Sequence, residues 1–361
     1  MNIFYEDLQA INAPFISHKF FQNALNSGWY IRGRYLNMFE KEFSNYIGAK
    51  YCCGVGNGFD ALLIALRMIS EMNPDRKNVI LPANSYIATV LAVNHANLNP
   101  IFIDVSSGSI FPDQRELINI LDDNTAAILL THFYGNFCDA VVNLKEKIGP
   151  EIFLVEDCAQ STGTTRHGKH AGTFGDFGCH SFYPTKNLGA LGDGGAITTN
   201  SKILHLSVEN YGNYGSHEKY KNKQVGVNSR LDELQAAFLL SKLSKINSLL
   251  EIKRRIAEKY VRNIGNPKIF VMDDYNSENT YSIFPIYSYN RDTTRDKLLD
   301  AGIPTEIHYP ILPVEQPIFK DRNANFPNSK WLADYEISLP ISASLTEAQT
   351  DYIIENINNL V

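Results

Sequence analysis

VEDCAQSTGTTRHGKHAGTFGDFGCHSFYPTKNLGALGDGGAITTN, from Val155 to Asn200, is the stretch on which the fold turns. It begins inside an unbroken apolar run, IFLVED (Ile152–Asp157), that stops at two carboxylates. Continuous runs of this kind, AAILLTH (Ala126–His132) being another, predict strands buried on both faces of a mostly parallel sheet. Strands are accordingly expected at Asn78–Pro82, Pro100–Val105, Ala126–His132, Ile152–Glu156, Cys179–Phe182 and Ala196–Thr199. Between them the helical pattern predicts Asp60–Met72, Ile87–Ala96 and Gln114–Leu121, the last with Asp113 placed to cap it. The alternation reads as a layered α/β domain over residues 15–245. A long amphipathic helix is expected from Arg230 to Ile264, bent near Asn247. Beyond it a strand (Ser282–Tyr289), a helix (Thr293–Ala301) and a terminal helix (Thr346–Asn358) predict a smaller C-terminal α+β domain over residues 246–361.

Three segments carry the chemistry, and each has an ordinary reading when taken alone. Glu156 and Asp157 end a strand, which puts carboxylates at the carboxyl end of the sheet, where α/β folds bind ligands. An acid there suits a pyridoxal-phosphate (PLP) enzyme, because it keeps the pyridine nitrogen protonated and the ring electron-withdrawing. The ordinary alternative is a surface acid capping the next turn. In SFYPTKNLG (Ser181–Gly189), Lys186 lies on a loop soon after a strand, between Pro184 and Gly189. A nucleophilic lysine must be partly neutral, which burial and a nearby cation arrange. Most lysines are solvated surface charges, but Ser181 is an apt phosphate ligand and GDGG (Gly192–Gly195) allows a tight turn beside the loop. In GVGNGFDALLIAL (Gly54–Leu66), glycines lead into an amphipathic helix whose free N–H groups suit a phosphate. It is neither a P-loop nor a clean G-x-G-x-x-G, since Phe59 holds the last glycine's place.

The order of the three, a glycine-opened helix, then a strand-end acid, then a lysine, matches fold type I PLP enzymes of the aspartate-aminotransferase kind. With SGWYIRG near Gly28, PANSYIATV, NSRLDELQAA and IHYP in the same order, the chain resembles the DegT/DnrJ/EryC1/StrS sugar aminotransferases over residues 13–340. The resemblance implies a large, mostly parallel-sheet domain plus a smaller one, and pyridoxal 5'-phosphate as cofactor. It makes Lys186 the Schiff-base lysine and proton shuttle, Asp157 the partner of the pyridinium nitrogen, and Gln160 a neighbour of the ring hydroxyl. Gly58 and Phe59 amides with the Ser181 hydroxyl would cradle the phosphate, and Tyr86 would stack on the ring. Asn228 would reach the phosphate from a neighbouring subunit, which implies a homodimer with shared active sites.

Tyr183 before Pro184, and the loop KNLGALGDGG, resemble the branch that aminates C3 of TDP-linked 3-keto-6-deoxyhexoses with glutamate as donor. That implies a TDP-3-amino-3,6-dideoxyhexose product, destined for O-antigen, another glycan or a secondary metabolite. Tyr183, His308 and Tyr309 become the substrate contacts; His308 has an equal reading as a turn residue beside Pro310, and Tyr86 as core filler. Two other functions stay open: C4 amination of a UDP- or TDP-4-keto-6-deoxy sugar, and a non-catalytic PLP-fold binding protein. A C3 dehydratase of the family would carry histidine in place of Lys186. The sequence departs from the family pattern at Phe59, Arg34 and Val314, the last two on the expected sugar-nucleotide side.

Bulk composition agrees with an enzyme of this class. The 361 residues are 44% hydrophobic and 20% charged, enough for a sizeable core. A net charge of −6 argues against a nucleic-acid partner. The five cysteines fall in no zinc or disulfide pattern, and HGKHAG (His167–Gly172) reads as a surface turn, so no metal is expected. No signal-like or membrane-spanning segment is expected, which predicts a cytoplasmic protein without a membrane partner.

Overall fold

The computed structural model describes residues 3–218, 220–272, 275–319 and 325–360. Three helices that the sequence reading did not anticipate open the chain: α1 (Leu8–Ile16), α2 (Lys19–Ser27) and α3 (Arg34–Ile47). An equally unanticipated strand, β1 (Tyr51–Val55), leads into α4 (Gly58–Met72). Asn57 caps α4 by accepting the Asp60 N–H at 2.8 Å. Strands and helices then alternate as expected: β2 (Asn78–Pro82), α5 (Ile87–His95), β3 (Asn99–Ile103), α6 (Gln114–Asn119), β4 (Thr125–Thr131) and β5 (Phe153–Asp157), with a short helix that was not anticipated, α7 (Leu144–Lys147), between the last two strands. HGKHAG makes the tip of a small hairpin, β6 (Thr165–Arg166) and β7 (Lys169–His170), turned by positive φ at His167 and Gly168. After it come β8 (Phe177–Ser181), β9 (Gly195–Thr199), α8 (Lys202–Gly212) and the hairpin β10 (Ser216–Glu218) with β11 (Lys221–Asn222).

The long helix expected over Arg230–Ile264 is two helices, α9 (Glu233–Leu243) and α10 (Ile246–Asn263). The backbone leaves helical geometry at Lys245 (φ −122°, ψ 5°), ahead of the bend expected near Asn247, which lies inside α10. The remaining elements are β12 (Phe284–Tyr287), α11 (Arg291–Asp300), α12 (Pro327–Tyr335), β13 (Glu336–Leu339) and α13 (Glu347–Asn358).

The main sheet has seven strands in the order β1-β9-β8-β5-β4-β2-β3. From β3 to β8 the pairs are parallel; β9 and β1 close one edge with antiparallel pairs. Alternate residues of each inner strand feed opposite faces. Ala127, Leu129 and Val155 join the core with Ile64 of α4 and Val90 of α5. Ile128, Leu130 and Leu154 join Leu117 of α6 and Leu144 of α7 on the other side. With helices on both faces, every residue of β4 is buried, which is why its sequence shows no alternation. The last elements form their own core, in which Ile256 and Tyr260 of α10 pack against Ile286, Leu339 and Ile353. This layout is the α/β fold the sequence implied, and it brings the ends of β4, β5 and β8 to one rim. Among the described residues no helix is long and apolar enough to cross a membrane.

Candidate active site

At the carboxyl end of β5 the two acids part company. Asp157 follows Val155 toward the α4 and α5 face, and it is 3% exposed. Its Oδ1 accepts the Ala159 N–H at 3.1 Å, and its Oδ2 accepts the Thr89 hydroxyl at 2.8 Å. Burial raises the proton affinity of Asp157, with these hydrogen bonds and the charge of Lys186 opposing. Glu156, which the sequence reading placed beside it, points to the opposite face. There it accepts N–H groups from Gly172, Phe174 and Gly175 at 2.7–2.8 Å and pairs with His132 Nε2 at 2.9 Å. The Cys138 N–H donates to His132 Nδ1, so Nε2 carries the ring proton toward Glu156. Burial pushes Glu156 up, but His132 and the N–H groups outweigh it and hold the carboxyl below its usual range.

Lys186 sits on a closely folded loop after β8. Its N–H donates to Tyr183 O at 2.8 Å, and Ala190 N–H donates to Phe182 O at 2.8 Å. A Cβ on Gly189 would lie 2.1 Å from Pro184 O, so only glycine lets the loop close there. Burial lowers the proton affinity of the Lys186 amine, and Asp157 pulls it back up. Both groups are thereby moved toward the neutral form by burial and held toward the charged form by each other.

Gly58, the first residue of α4, abuts Ser181 at the end of β8; a Cβ on Gly58 would lie 2.6 Å from Ser181 Cβ. The Gly58 and Phe59 amides belong to the first turn, whose N–H groups have no acceptor within their own helix. Phe59 turns its ring inward, edge-on to His95 at 5.7 Å, which leaves its backbone to the cup. Tyr86 precedes α5, is 48% exposed, and stacks on Tyr309 with ring centroids 4.7 Å apart. Gln160 donates to the Tyr309 hydroxyl at 2.9 Å and accepts the Tyr134 N–H at 2.5 Å.

His308 enters from the C-terminal part of the chain. Its N–H donates to Glu336 at 2.6 Å, its Nδ1 meets Ser338 Oγ at 2.8 Å, and its carbonyl accepts the Tyr134 hydroxyl. Burial and the positive charge of Lys186 lower the His308 pKa to about 4, so the ring is neutral at pH 7. His308, Tyr309, Gln160, Lys186 and Tyr5 line one cleft. Tyr183 is half-exposed, and Asn228 is exposed on the surface in a bridge with Asn213. The structure therefore gathers Asp157, Gln160, Lys186, Tyr86, His308 and Tyr309, joins Gly58 to Ser181, and leaves Asn228 outside the Lys186 cleft.

Thr89, Tyr134, Glu336, Ser338 and Tyr5 belong to this constellation and were not read from the sequence. Thr89 alone carried a local signal, lying three residues after Tyr86 on the same turn of α5. Nothing in the chain near Glu336 points to His308, 28 residues earlier.

These groups fit PLP. The donor set has a buried acid, a lysine with lowered proton affinity, an exposed aromatic face and a helix N-terminus against a serine. The close approach of Gly58 to Ser181 is a cup that any larger residue would fill. Comparison with known proteins agrees. A curated relative from Aneurinibacillus thermoaerophilus, dTDP-3-amino-3,6-dideoxy-alpha-D-galactopyranose transaminase, is 39% identical, with 98% of each chain covered. The solved structure of S. venezuelae DesV in complex with a ketimine intermediate superposes with a TM-score of 0.92 at 31% identity, covering 99% of this chain and 98% of that one. Bacillus subtilis ntda with bound cofactor PMP gives 0.90 at 26% identity, covering 99% and 84%. The profile of the DegT/DnrJ/EryC1/StrS aminotransferase family matches residues 17–358. Fold and sequence thus coincide, and the chain belongs to the DegT/DnrJ/EryC1/StrS aminotransferase family, whose members are PLP-dependent.

Proposed function

We propose that the enzyme transfers the amino group of glutamate to C3 of a TDP-linked 3-keto-6-deoxyhexose, giving a TDP-3-amino-3,6-dideoxyhexose. The observation that carries this reading is the cleft in which Lys186, Gln160, His308 and Tyr309 converge beside buried Asp157. The relative from A. thermoaerophilus, whose name specifies a 3-amino-3,6-dideoxy sugar on dTDP, supports the substrate class and the carbon.

PLP, when bound, supplies an electron sink for the carbon that exchanges its amino group. The chain's own residues do the rest. Lys186 Nζ would hold the cofactor and would serve as the base that moves a proton at the reacting carbon. Asp157, oriented by Thr89 and the Ala159 N–H, would hold the protonated ring nitrogen of the cofactor. Gln160, fixed by the Tyr134 N–H, would hold the ring hydroxyl, and Tyr86 would pack against the ring. Gly58, Phe59 and Ser181 take the phosphate at the α4 N-terminus. Neutral His308 with Tyr183 and Tyr309 orients the sugar nucleotide by hydrogen bonds without adding charge.

The reading extends to a homodimer in the cytoplasm, in which Asn228 completes the partner's phosphate cup. Its support is the exposed apolar run Trp29, Tyr30 and Ile31, with Trp29 65% exposed, and the free thiols of all five cysteines. The division into residues 15–245 and 246–361 belongs to the same reading, supported by the separate core around Ile256, Tyr260 and Leu339.

Incubation of PLP-loaded enzyme with glutamate and each C4 epimer of the TDP-3-keto-6-deoxyhexose, followed by NMR of the product, tests the assignment. Nitrogen on C3 is the expected result; turnover only of 4-keto sugars would reassign the carbon. Mixing Lys186→Ala with Asn228→Asp protein tests the shared site, since exchanged subunits regain activity only if Asn228 serves its neighbour.

A further inference from the structure

Behind the Lys186 loop two more lysines are buried. Lys242 of α9 and Lys253 of α10 are 2% and 4% exposed, a setting lysine adopts only with partners. Lys253 Nζ donates to Asn187 Oδ1 at 3.2 Å and lies 3.8 Å from Glu6 Oε1. Lys242 Nζ donates to Asn12 Oδ1 at 3.0 Å and to Gly189 O at 3.1 Å. The two ammonium groups thus grip the loop at the residue after Lys186 and again at the glycine that closes it. Among the described residues Asn187 Nδ2 has no partner, so the contact with Lys253 is what orients that amide.

Glu6, Lys186, Asn187, Lys242 and Lys253 line one narrow cleft. Two ammonium groups and one carboxylate leave it with a net positive charge. The titratable groups around Lys186 are Asp157 from β5, Tyr5 and Glu6 from the N-terminal segment, His308 and Tyr309, Lys242 from α9 and Lys253 from α10. His308 is neutral and burial keeps Tyr5 and Tyr309 protonated, so Asp157 and Glu6 face two lysines.

We propose that Lys253 is a positioning residue for Lys186: it fixes the loop through Asn187 and keeps a positive charge behind the Lys186 nitrogen that favours the unprotonated form. The inference rests on Lys186 as the cofactor lysine. Burial is the largest cause of the lowered proton affinity of Lys186, and Lys253 adds to it where Asp157 opposes. The functional consequence is a nitrogen ready to bond the cofactor at neutral pH, which an unassisted lysine is not.

A visible-absorbance pH titration of the PLP-loaded enzyme reads protonation of the nitrogen that joins Lys186 to the cofactor. Lys253→Met removes a positive charge and should raise the midpoint by about one pH unit. Lys253→Arg keeps the charge and should leave the midpoint within about a third of a unit. An unchanged midpoint in Lys253→Met overturns the proposal, because a purely structural role would reduce cofactor retention without moving the titration. If Lys253→Met does not fold, Lys253→Gln, which removes the charge and keeps an amide donor for Asn187, decides alone, and an unchanged or lowered midpoint there refutes the inference. Lys186→Ala separates the two readings: a band that survives in it removes Lys186 from its role, whatever Lys253 does.

Discussion

Glu156 and Asp157 are adjacent, equally buried and chemically alike, yet they sit in opposite environments. Glu156 is surrounded by donors: three backbone N–H groups and the His132 ring hold it ionised. Asp157 has two firm donors, and burial lifts its proton affinity. The first is saturated within the protein and ties the loop from Gly172 to Gly175 to the sheet. The second keeps acceptor capacity that the protein does not use. Burial alone therefore does not mark a functional acid; unspent hydrogen-bonding capacity does.

Exchanging each acid for its amide should split activity from stability. Asp157→Asn should lower kcat/KM by about 10²–10⁴-fold while the unfolding midpoint in denaturant stays near wild type. Glu156→Gln should do the reverse, costing on the order of 3 kcal/mol in urea unfolding, because its new amide N–H groups face donors and His132 loses its charged partner. A stable, inactive Glu156→Gln protein would dissolve the contrast.

Glu336 sharpens the comparison from a third environment. Burial raises its pKa from 4.5 to about 8, with Ser338 and the His308 N–H opposing. A carboxyl whose folded pKa is raised contributes stability that is fully present below pH 4.5 and is lost as the pH climbs to 8. Thermal melts should therefore show Tm falling across that window and levelling above it, and Glu336→Gln should flatten the slope. The smallest effect is expected from Thr89→Val, which removes one hydrogen bond to Asp157: about 1 kcal/mol, read as a several-fold loss of kcat with little change in KM.

What was legible from the sequence follows the same physics. The inner strands announced themselves because burial on both faces demands continuous apolar residues. Edge strand β1, KYCCGVG in its setting, lacks the β-branched and aromatic run that marks a strand, and its antiparallel partner β9 lies far along the chain. Lys186, Asp157 and the Gly58 turn were readable because their segments carry local signatures. The opposed directions of Glu156 and Asp157 follow from the two-residue period of a strand, but which face would hold the site did not, since Glu156's partners at His132 and Gly172–Gly175 and Asp157's at Thr89 come from distant segments. The break falls at Lys245, where a helix buried all round from Ala236 to Leu243 gives way to one that buries a single face; a single amphipathic pattern drawn through both placed the bend too late.

Glu233 at the start of α9 accepts the N–H groups of Gly33, Tyr35 and Leu36, capping α3 from 200 residues away. On a ribosome this separation becomes a delay. At about 5–20 residues per second, α3 waits roughly 10–40 seconds for its cap, and β1 must wait similarly for β9. The first fifty residues are thus among the last to become native, and the N-terminal segment that carries Glu6 and Asn12 reaches the lysine loop only after α9 and α10 have been made.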